Sequence, residues 1–298
     1  MSPAETLLAW YKTHGRDLPW RKTRSAYAIL VSEVMLQQTQ VSRVIDYYKR
    51  WLERFPDWTS LAEATTEQVV QAWSGLGYNR RGLMLRAIAQ QVVIHGEPKS
   101  EADWLELKGI GPYTAAALAA FSLKQRVLPI DTNIRRVLGR TLLGIPFPQL
   151  SDDNQIREVA HGFLPTTGNY YDVPQAIFDL ATSICTKMPQ CAICPLRQTC
   201  KSAESFLSGQ VETPKRTIKK ANEKKHTGKP HPDRIYRGRI LKAVKDAGEN
   251  GLSFEEIAEA INANYLETQD KAWVEAMLTR LRKEGFLKQL HQRWKISE

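Results

Sequence analysis

Leu107-Lys-Gly-Ile-Gly-Pro-Tyr-Thr114 leads into an alanine-rich run ending at Phe121, and then into Val127-Leu-Pro-Ile-Asp-Thr-Asn-Ile-Arg-Arg136. Gly109 and Gly111 bracket one aliphatic residue, with a strong helix former directly after them. A tight Gly-x-Gly turn ahead of a helix leaves backbone N–H groups facing outward with no Cβ atoms in the way. With the helix dipole behind them, those groups make a seat for a phosphate. Trp104, Leu105 and Leu107 suit a preceding helix, so Trp104–Phe121 reads as a helix–hairpin–helix. By itself the pattern also describes a helix C-cap followed by a proline-started helix. Asp131 changes that balance: after Pro129 and before an amphipathic helix, it serves as an N-cap or as a carboxylate held at the edge of a cleft.

The 298 residues suffice for two or three domains. A net charge of +10 points to a polyanionic partner, nucleic acid first and an anionic membrane second. No apolar run approaches transmembrane length, and Met1–Tyr11 contains Glu5 and no basic n-region, so a cytoplasmic, nucleoid-associated protein is expected.

Up to about residue 200 the periodicity is helical almost throughout, with helices expected at Ala26–Thr39, Val41–Arg54, Thr66–Trp73, Arg80–His95, Asn154–Phe163 and Pro174–Ile184. Composition then shifts. Lys215, Arg216, Lys219, Lys220, Lys224, Lys225 and Lys229 stand among hardly any apolar residues, as in a basic linker. Helical patterns at Tyr236–Ala247, Phe254–Ile261 and Gln269–Lys283 precede two short alternating stretches around Leu287 and Trp294. Three helices and a hairpin describe a winged helix, which serves duplex binding, partner docking or stabilisation alike.

All four cysteines fall in Cys185-x5-Cys191-x2-Cys194-x5-Cys200, a spacing that argues for metal rather than disulfides. Structural zinc sites usually pair two short knuckles. A single short knuckle with near-equal arms favours a [4Fe–4S] cluster, with zinc the alternative. Glu33 shares a helix with Ile29, Leu30, Val34 and Met35. A carboxyl among apolar residues has its charged form disfavoured and can hold a proton near neutral pH. Paired with Asp131, it meets the needs of N-glycosidic bond hydrolysis: a proton for the leaving base and a negative group for the oxocarbenium-like sugar. Arg16, Arg21, Arg80, Arg81, Arg135, Arg136 and Arg140 alternate with Trp20, Tyr78 and Tyr113, a mixture suited to phosphates and unstacked bases. Tyr78 stands out because Gly75-Leu-Gly77 puts it on a glycine-rich turn.

Together these residues resemble the helix–hairpin–helix/Gly-Pro-Asp superfamily of DNA glycosylases, and within it the adenine glycosylases, from about Leu7 to Cys200. The motifs are Leu18-Pro-Trp-Arg21, Ser32-Glu-Val-Met-Leu-Gln-Gln-Thr-Gln-Val41, Gly75-Leu-Gly-Tyr78, Gly109-Ile-Gly-Pro-Tyr-Thr114, Asp131-x-Asn133 and the four cysteines. The resemblance implies that Glu33 protonates the adenine ring, that Asp131 stabilises or traps the C1′ cation, and that Asn133 stands beside it. It implies that Trp20, Arg21 and Gln175 line the extruded base. Gln37, Gln38 and Tyr78 then enter the duplex or touch the orphaned partner base, while Gly109, Gly111 and Arg135 hold the DNA backbone. Tyr113 occupies the position of the Schiff-base lysine of bifunctional relatives. A tyrosine cannot form an imine, so a monofunctional enzyme is implied.

The implied architecture is mainly α and two-lobed. An iron–sulfur lobe (1–20 and 132–206) faces a six-helix barrel (21–131), with the base flipped between them. A linker (207–232) and a winged-helix domain (233–298) complete the chain. Implied partners are a [4Fe–4S] cluster held by Cys185, Cys191, Cys194 and Cys200, and double-stranded DNA with a mispair or damaged base, bound by a monomer away from any membrane. Thr132 stands where adenine glycosylases carry Gly, Asn79 where they carry a second Tyr, and Pro174 where they carry Asn. The first cysteine arm is one residue shorter than the usual six. The residues after Cys200 read as linker and winged helix instead of the family's MutT-like domain, which inspects 8-oxoguanine. The alternatives are a thymine, uracil or modified-base mismatch glycosylase, and a non-catalytic iron–sulfur DNA-binding regulator.

Overall fold

The computed structural model describes residues 1–166, 168, 170–212, 214, 225–262 and 264–297. The expected linker lies partly outside them, since its lysines from Lys215 to Lys224 are not among the described residues. Helices dominate. The first half contains α1 (Pro3–His14), α2 (Ala26–Leu36), α3 (Val41–Arg54), α4 (Trp58–Ala62), α5 (Thr66–Trp73) and α6 (Arg80–His95). Next come α7 (Glu101–Glu106), α8 (Pro112–Phe121), α9 (Thr132–Leu138), α10 (Asp153–Phe163), α11 (Val173–Ser183) and α12 (Ala203–Leu207). The C-terminal segment holds α13 (Asp233–Asp246), α14 (Phe254–Ile261) and α15 (Glu267–Lys283), then strands β1 (Leu287–Leu290) and β2 (Arg293–Ile296).

Helix α2 stops at Leu36, short of the expected Thr39, because Gln38 takes a left-handed backbone with φ 56°. Pro112 opens α8, one of the positions where a missing N–H costs nothing. The expected helix–hairpin–helix is therefore α7, the Gly109-Ile110-Gly111 turn and α8, with Gly109 at φ 104°.

The chain divides into two compact units: 1–33 with 97–216, and 34–96 with 217–298. By contacts, the helix–hairpin–helix falls in the unit with α1 and α9–α12, and the C-terminal segment in the unit with α3–α6.

In the first unit α9 and α11 pack together around Ile134, Val137, Ala176, Ile177 and Leu180, with Leu7 of α1 completing the core. Asp179 of α11 is buried there and accepts from both Arg16 and Arg21, the latter through paired bonds of 2.7 and 2.8 Å. In the second unit the three C-terminal helices and the antiparallel hairpin, registered Leu287 to Ile296, share one core with Val70 of α5. Tyr236, Ile240, Val274, Leu278 and Phe286 are its buried members, each worth about 1.5–3 kcal/mol of burial. Arg80 and Arg237 reach the same Glu284 carboxylate. This shared core is the physical reason for the partition: an amphipathic face cannot leave its apolar side in water.

Removing Asp179 would strand two guanidinium groups, one of them buried. Asp179→Ala is expected to lower the unfolding free energy by roughly 3–5 kcal/mol in urea titrations. A loss below about 1 kcal/mol would mean that the pair behaves as a surface salt bridge.

Candidate active site

The first unit brings Glu33, Tyr113 and Asp131 together. Helix α2 is apolar on nearly all sides, so the Glu33 carboxyl is carried into the interior with its neighbours and is only 8 % exposed. Tyr113, in the first turn of α8, donates its hydroxyl hydrogen bond to Glu33. Burial pushes the Glu33 carboxyl up to about 7; the negative charge of Asp131 adds to the rise, and the Tyr113 bond opposes it. The Tyr113 hydroxyl is itself raised well above its ordinary value, by burial first and then by the two carboxylates.

Asp131 is the N-cap of α9. Its Oδ1 accepts the backbone N–H groups of Asn133 and Ile134, both at 2.8 Å, and its Oδ2 accepts Asn133 Nδ2 at 2.8 Å. Half-burial raises its pKa, but three donors and the nearby Arg136 pull the other way. Asn133 is in turn held by Arg136, whose Nη2 donates to Asn133 Oδ1 at 3.2 Å. The result is two carboxyl groups in one environment with unequal support. Asp131 accepts three hydrogen bonds that oppose the upward pull of burial, whereas Glu33 accepts one and is raised to about 7.

The four cysteines form no disulfide and line one cavity with Val137, Leu180, Ile184 and Phe206. Arg140 is buried against that cavity at 1 % exposure. Its Nη1 donates to Cys185 Sγ at 3.4 Å and to the Thr186 carbonyl at 2.7 Å, and its other nitrogens reach the Pro146 and Lys187 carbonyls. The guanidinium lies over the Phe206 ring, 4.6 Å from its centroid. Its partners are carbonyls, a sulfur and aromatic rings, and among the described residues no carboxylate pairs with it. Burial raises the Cys191, Cys194 and Cys200 thiols, Cys194 to about 11. Among the described residues, no three His, Cys, Asp or Glu side chains are gathered into a single-ion site.

Trp20 is buried in the short Pro19–Arg21 turn, and Gln175 is half-buried in the first turn of α11. Gly111 is extended at φ −97°, and a Cβ there would meet nothing within 4 Å, so nothing inside the molecule requires a glycine at this position. Gln37, Gln38 and Tyr78 belong to the second unit and are exposed, Tyr78 at 58 %.

Most of the arginines expected to face phosphates are engaged internally. Arg135, read as a DNA-backbone contact, is buried and makes a bidentate pair with Asp153 at 2.5 and 2.7 Å. Arg21 is taken by Asp179, Arg136 by the Cys185 and Ala181 carbonyls, and Arg81 by backbone carbonyls. Their partners lie tens of residues away or on carbonyl oxygens, which a charge pattern along one chain does not display. Arg80 remains largely exposed.

The HhH-GPD superfamily base excision DNA repair protein model matches residues 31–157, which contain Glu33, the helix–hairpin–helix and Asp131. The adenine DNA glycosylase of Mycolicibacterium smegmatis is 37% identical over 254 residues, covering 83% of this chain and 81% of that one. The chain belongs to the adenine DNA glycosylase family of the HhH-GPD superfamily. The mouse adenine DNA glycosylase is 39% identical over 219 residues, covering 69% of this chain but only 42% of the mouse protein. The chain thus spans less than half the length of some curated members. Among solved structures, a thermostable thymine-DNA glycosylase superposes with a TM-score of 0.63 at 25% identity, covering 68% of this chain and 95% of that one. An endonuclease III–DNA complex superposes at 0.57 and 18% identity, covering 69% and 95%, a likeness of fold.

Because the folded-state pKa of Glu33, about 7, lies above its ordinary 4.5, the folded protein holds this proton more tightly than the unfolded chain. That contribution is complete below pH 4.5 and is lost as pH rises through 7. The permanently neutral Glu33→Gln is therefore expected to exceed the wild type in stability at pH 8, by up to about 3 kcal/mol. Denaturant titrations at pH 8 and pH 4 check this: equal stabilities at pH 8 would mean that Glu33 ionises in its ordinary range.

Proposed function

We propose that the protein is a monofunctional DNA glycosylase that removes adenine from mispairs in duplex DNA. The observation that carries this reading is the buried Glu33 carboxyl, raised to about 7 with Asp131 close by and a tyrosine hydrogen-bonded to it at position 113. Glu33 donates its proton to a ring nitrogen of the extruded adenine. The C1′–N bond then breaks, its electron pair leaving with the base. Asp131, ionised, stabilises the oxocarbenium-like sugar until water adds at C1′ and gives up a proton. Asn133 and Arg136 hold Asp131 in place, and Tyr113 holds Glu33. No amine stands at position 113, so the product is an intact abasic strand. The open backbone at Gly109–Gly111 suits a DNA phosphate at the start of α8. Trp20 and Gln175 suit contacts to the base.

The cysteine cavity fits a [4Fe–4S] cluster. A tetrahedral zinc ion needs its ligands converging on one point, whereas a cube spreads them over its corners. The unopposed charge of buried Arg140 suits an anionic thiolate set. When bound, the cluster supplies a rigid clip joining the 185–200 segment to the α9 and α11 residues that line the same cavity.

Thr132 and the likeness to a thymine-DNA glycosylase favour one second reading, excision of thymine or uracil opposite guanine. Adenine needs ring protonation to leave, while those bases can depart as anions, so a Glu33 raised to about 7 supports adenine.

A panel of duplexes varying the target and opposing base, assayed in single turnover for alkali-labile sites, tests the reading. Adenine release is expected, with strand breaks only after hot alkali. Glu33→Gln and Asp131→Asn should each slow release at least roughly 100-fold with duplex binding retained. Release should fall as pH rises through about 7, where Glu33 loses its proton. Thymine release with adenine untouched would favour the second reading. Sequence-specific binding without release from any duplex would favour the regulator.

A further inference from the structure

The two exposed loops of the second unit, Gln37–Thr39 after α2 and Gly75–Tyr78 before α6, are joined through one buried side chain. Arg81 is 8 % exposed and spends both ends of its guanidinium on them. Its Nη1 donates to the carbonyls of Val34 at 2.7 Å and Gln37 at 2.6 Å, at the C-terminal end of α2, where a cation also meets the negative end of the helix dipole. Its Nη2 donates to the Gly77 carbonyl at 3.1 Å and reaches Thr39 Oγ1 at 3.5 Å. The same guanidinium lies 5.5 Å from the Tyr78 ring centroid and 5.3 Å from that of Trp73.

Both loops carry backbone that costs energy to hold. Gln38 and Tyr78 are left-handed, at φ 56° and 48°, and neither is a glycine. Tyr78 is nevertheless 58 % exposed, an aromatic ring fixed in solvent. The base of its loop is braced separately: Tyr47 Oη donates to the Ser74 carbonyl at 3.0 Å, Arg43 donates to the Gly75 carbonyl, and Lys245 of α13 donates to Ser74 Oγ at 3.3 Å. Gly75 is obligatory there, since its φ is 100° and a Cβ would overlap the Tyr47 hydroxyl.

We propose that Arg81 is a positioning residue that fixes the Gln37–Gln38 and Gly75–Tyr78 loops as one two-pronged wedge, setting how far the prongs enter a duplex. This rests on the glycosylase reading and deepens it. A lysine could not replace the arginine: its single ammonium meets one loop or the other, while the planar fork spans both. Arg81 touches neither substrate nor reacting atoms in this role; it acts through Gln38 and Tyr78.

A double-mutant cycle on the full chain tests this, with base release measured in single turnover on the best duplex of the panel and thermal melting followed in parallel. Arg81→Lys is expected to slow release about 100-fold, the scale of a small misplacement. Gln38→Ala with Tyr78→Ala should slow it comparably, and Arg81→Lys added to that pair should cost no more than about a further threefold. If Arg81→Lys does not fold, Arg81→Gln, which leaves no bare charge in the interior, enters the same cycle. Losses that multiply, or full activity in Arg81→Lys, would overturn the assignment while leaving the glycosylase reading intact. A wild type that releases no base from any duplex would remove that reading and this one together.

Discussion

Two carboxyl groups placed in one poorly hydrated environment cannot both be charged cheaply, and the proposed chemistry depends on which one gives way. Glu33 is carried inward by a helix whose other faces are apolar, so water cannot solvate its charge. Asp131 is also half-buried, but it caps α9 and accepts three hydrogen bonds from that helix's first turn. Burial raises both groups, Glu33 to about 7, but at Asp131 three hydrogen bonds and Arg136 oppose the rise. An acid and an anion side by side are what cleavage of an unactivated N-glycosidic bond requires.

The rest of the first unit secures that asymmetry. Helix α9 is fixed by its packing on α11, and Arg136 ties Asn133, beside Asp131, to the carbonyls of Ala181 and Cys185. The cysteine cavity begins at that point, so the segment proposed to hold the cluster and the segment holding Asp131 share a hydrogen-bonded arginine. In the second unit the C-terminal helices and hairpin share a core with α5, and Lys245 touches the base of the Tyr78 loop. That attachment makes the C-terminal segment part of the support for the loops, whatever else it contacts.

Much of this was legible in the sequence. The helix spans Val41–Arg54, Thr66–Trp73, Arg80–His95 and Phe254–Ile261 follow directly from the spacing of apolar residues. Glu33 could be singled out because it shares a helix with Ile29, Leu30, Val34 and Met35, and Asp131 because it follows Pro129 and precedes an amphipathic helix. The partners of the arginines were not legible. Arg135 and Arg21 look like surface cations in a basic chain, but their carboxylate partners, Asp153 and Asp179, are 18 and 158 residues away. The partners of Arg81 could not be read for a different reason: they are mainly carbonyl oxygens, which every residue has. The short helices α4 and α12 carry too few residues for a period to show. Val70, a single apolar residue of α5, gives no sign in the sequence that it will meet a core built some 170 residues later.

The protonation of Glu33 can be observed without any substrate. Infrared difference spectra of the wild type against Glu33→Gln, followed from pH 5 to pH 9, would isolate the carboxylic acid stretch of this one side chain. The account predicts that the band persists into neutral solution and disappears with a midpoint of about 7, and that Asp131→Asn moves the midpoint down by removing a neighbouring charge. A midpoint near 4.5, unaffected by Asp131→Asn, would contradict it.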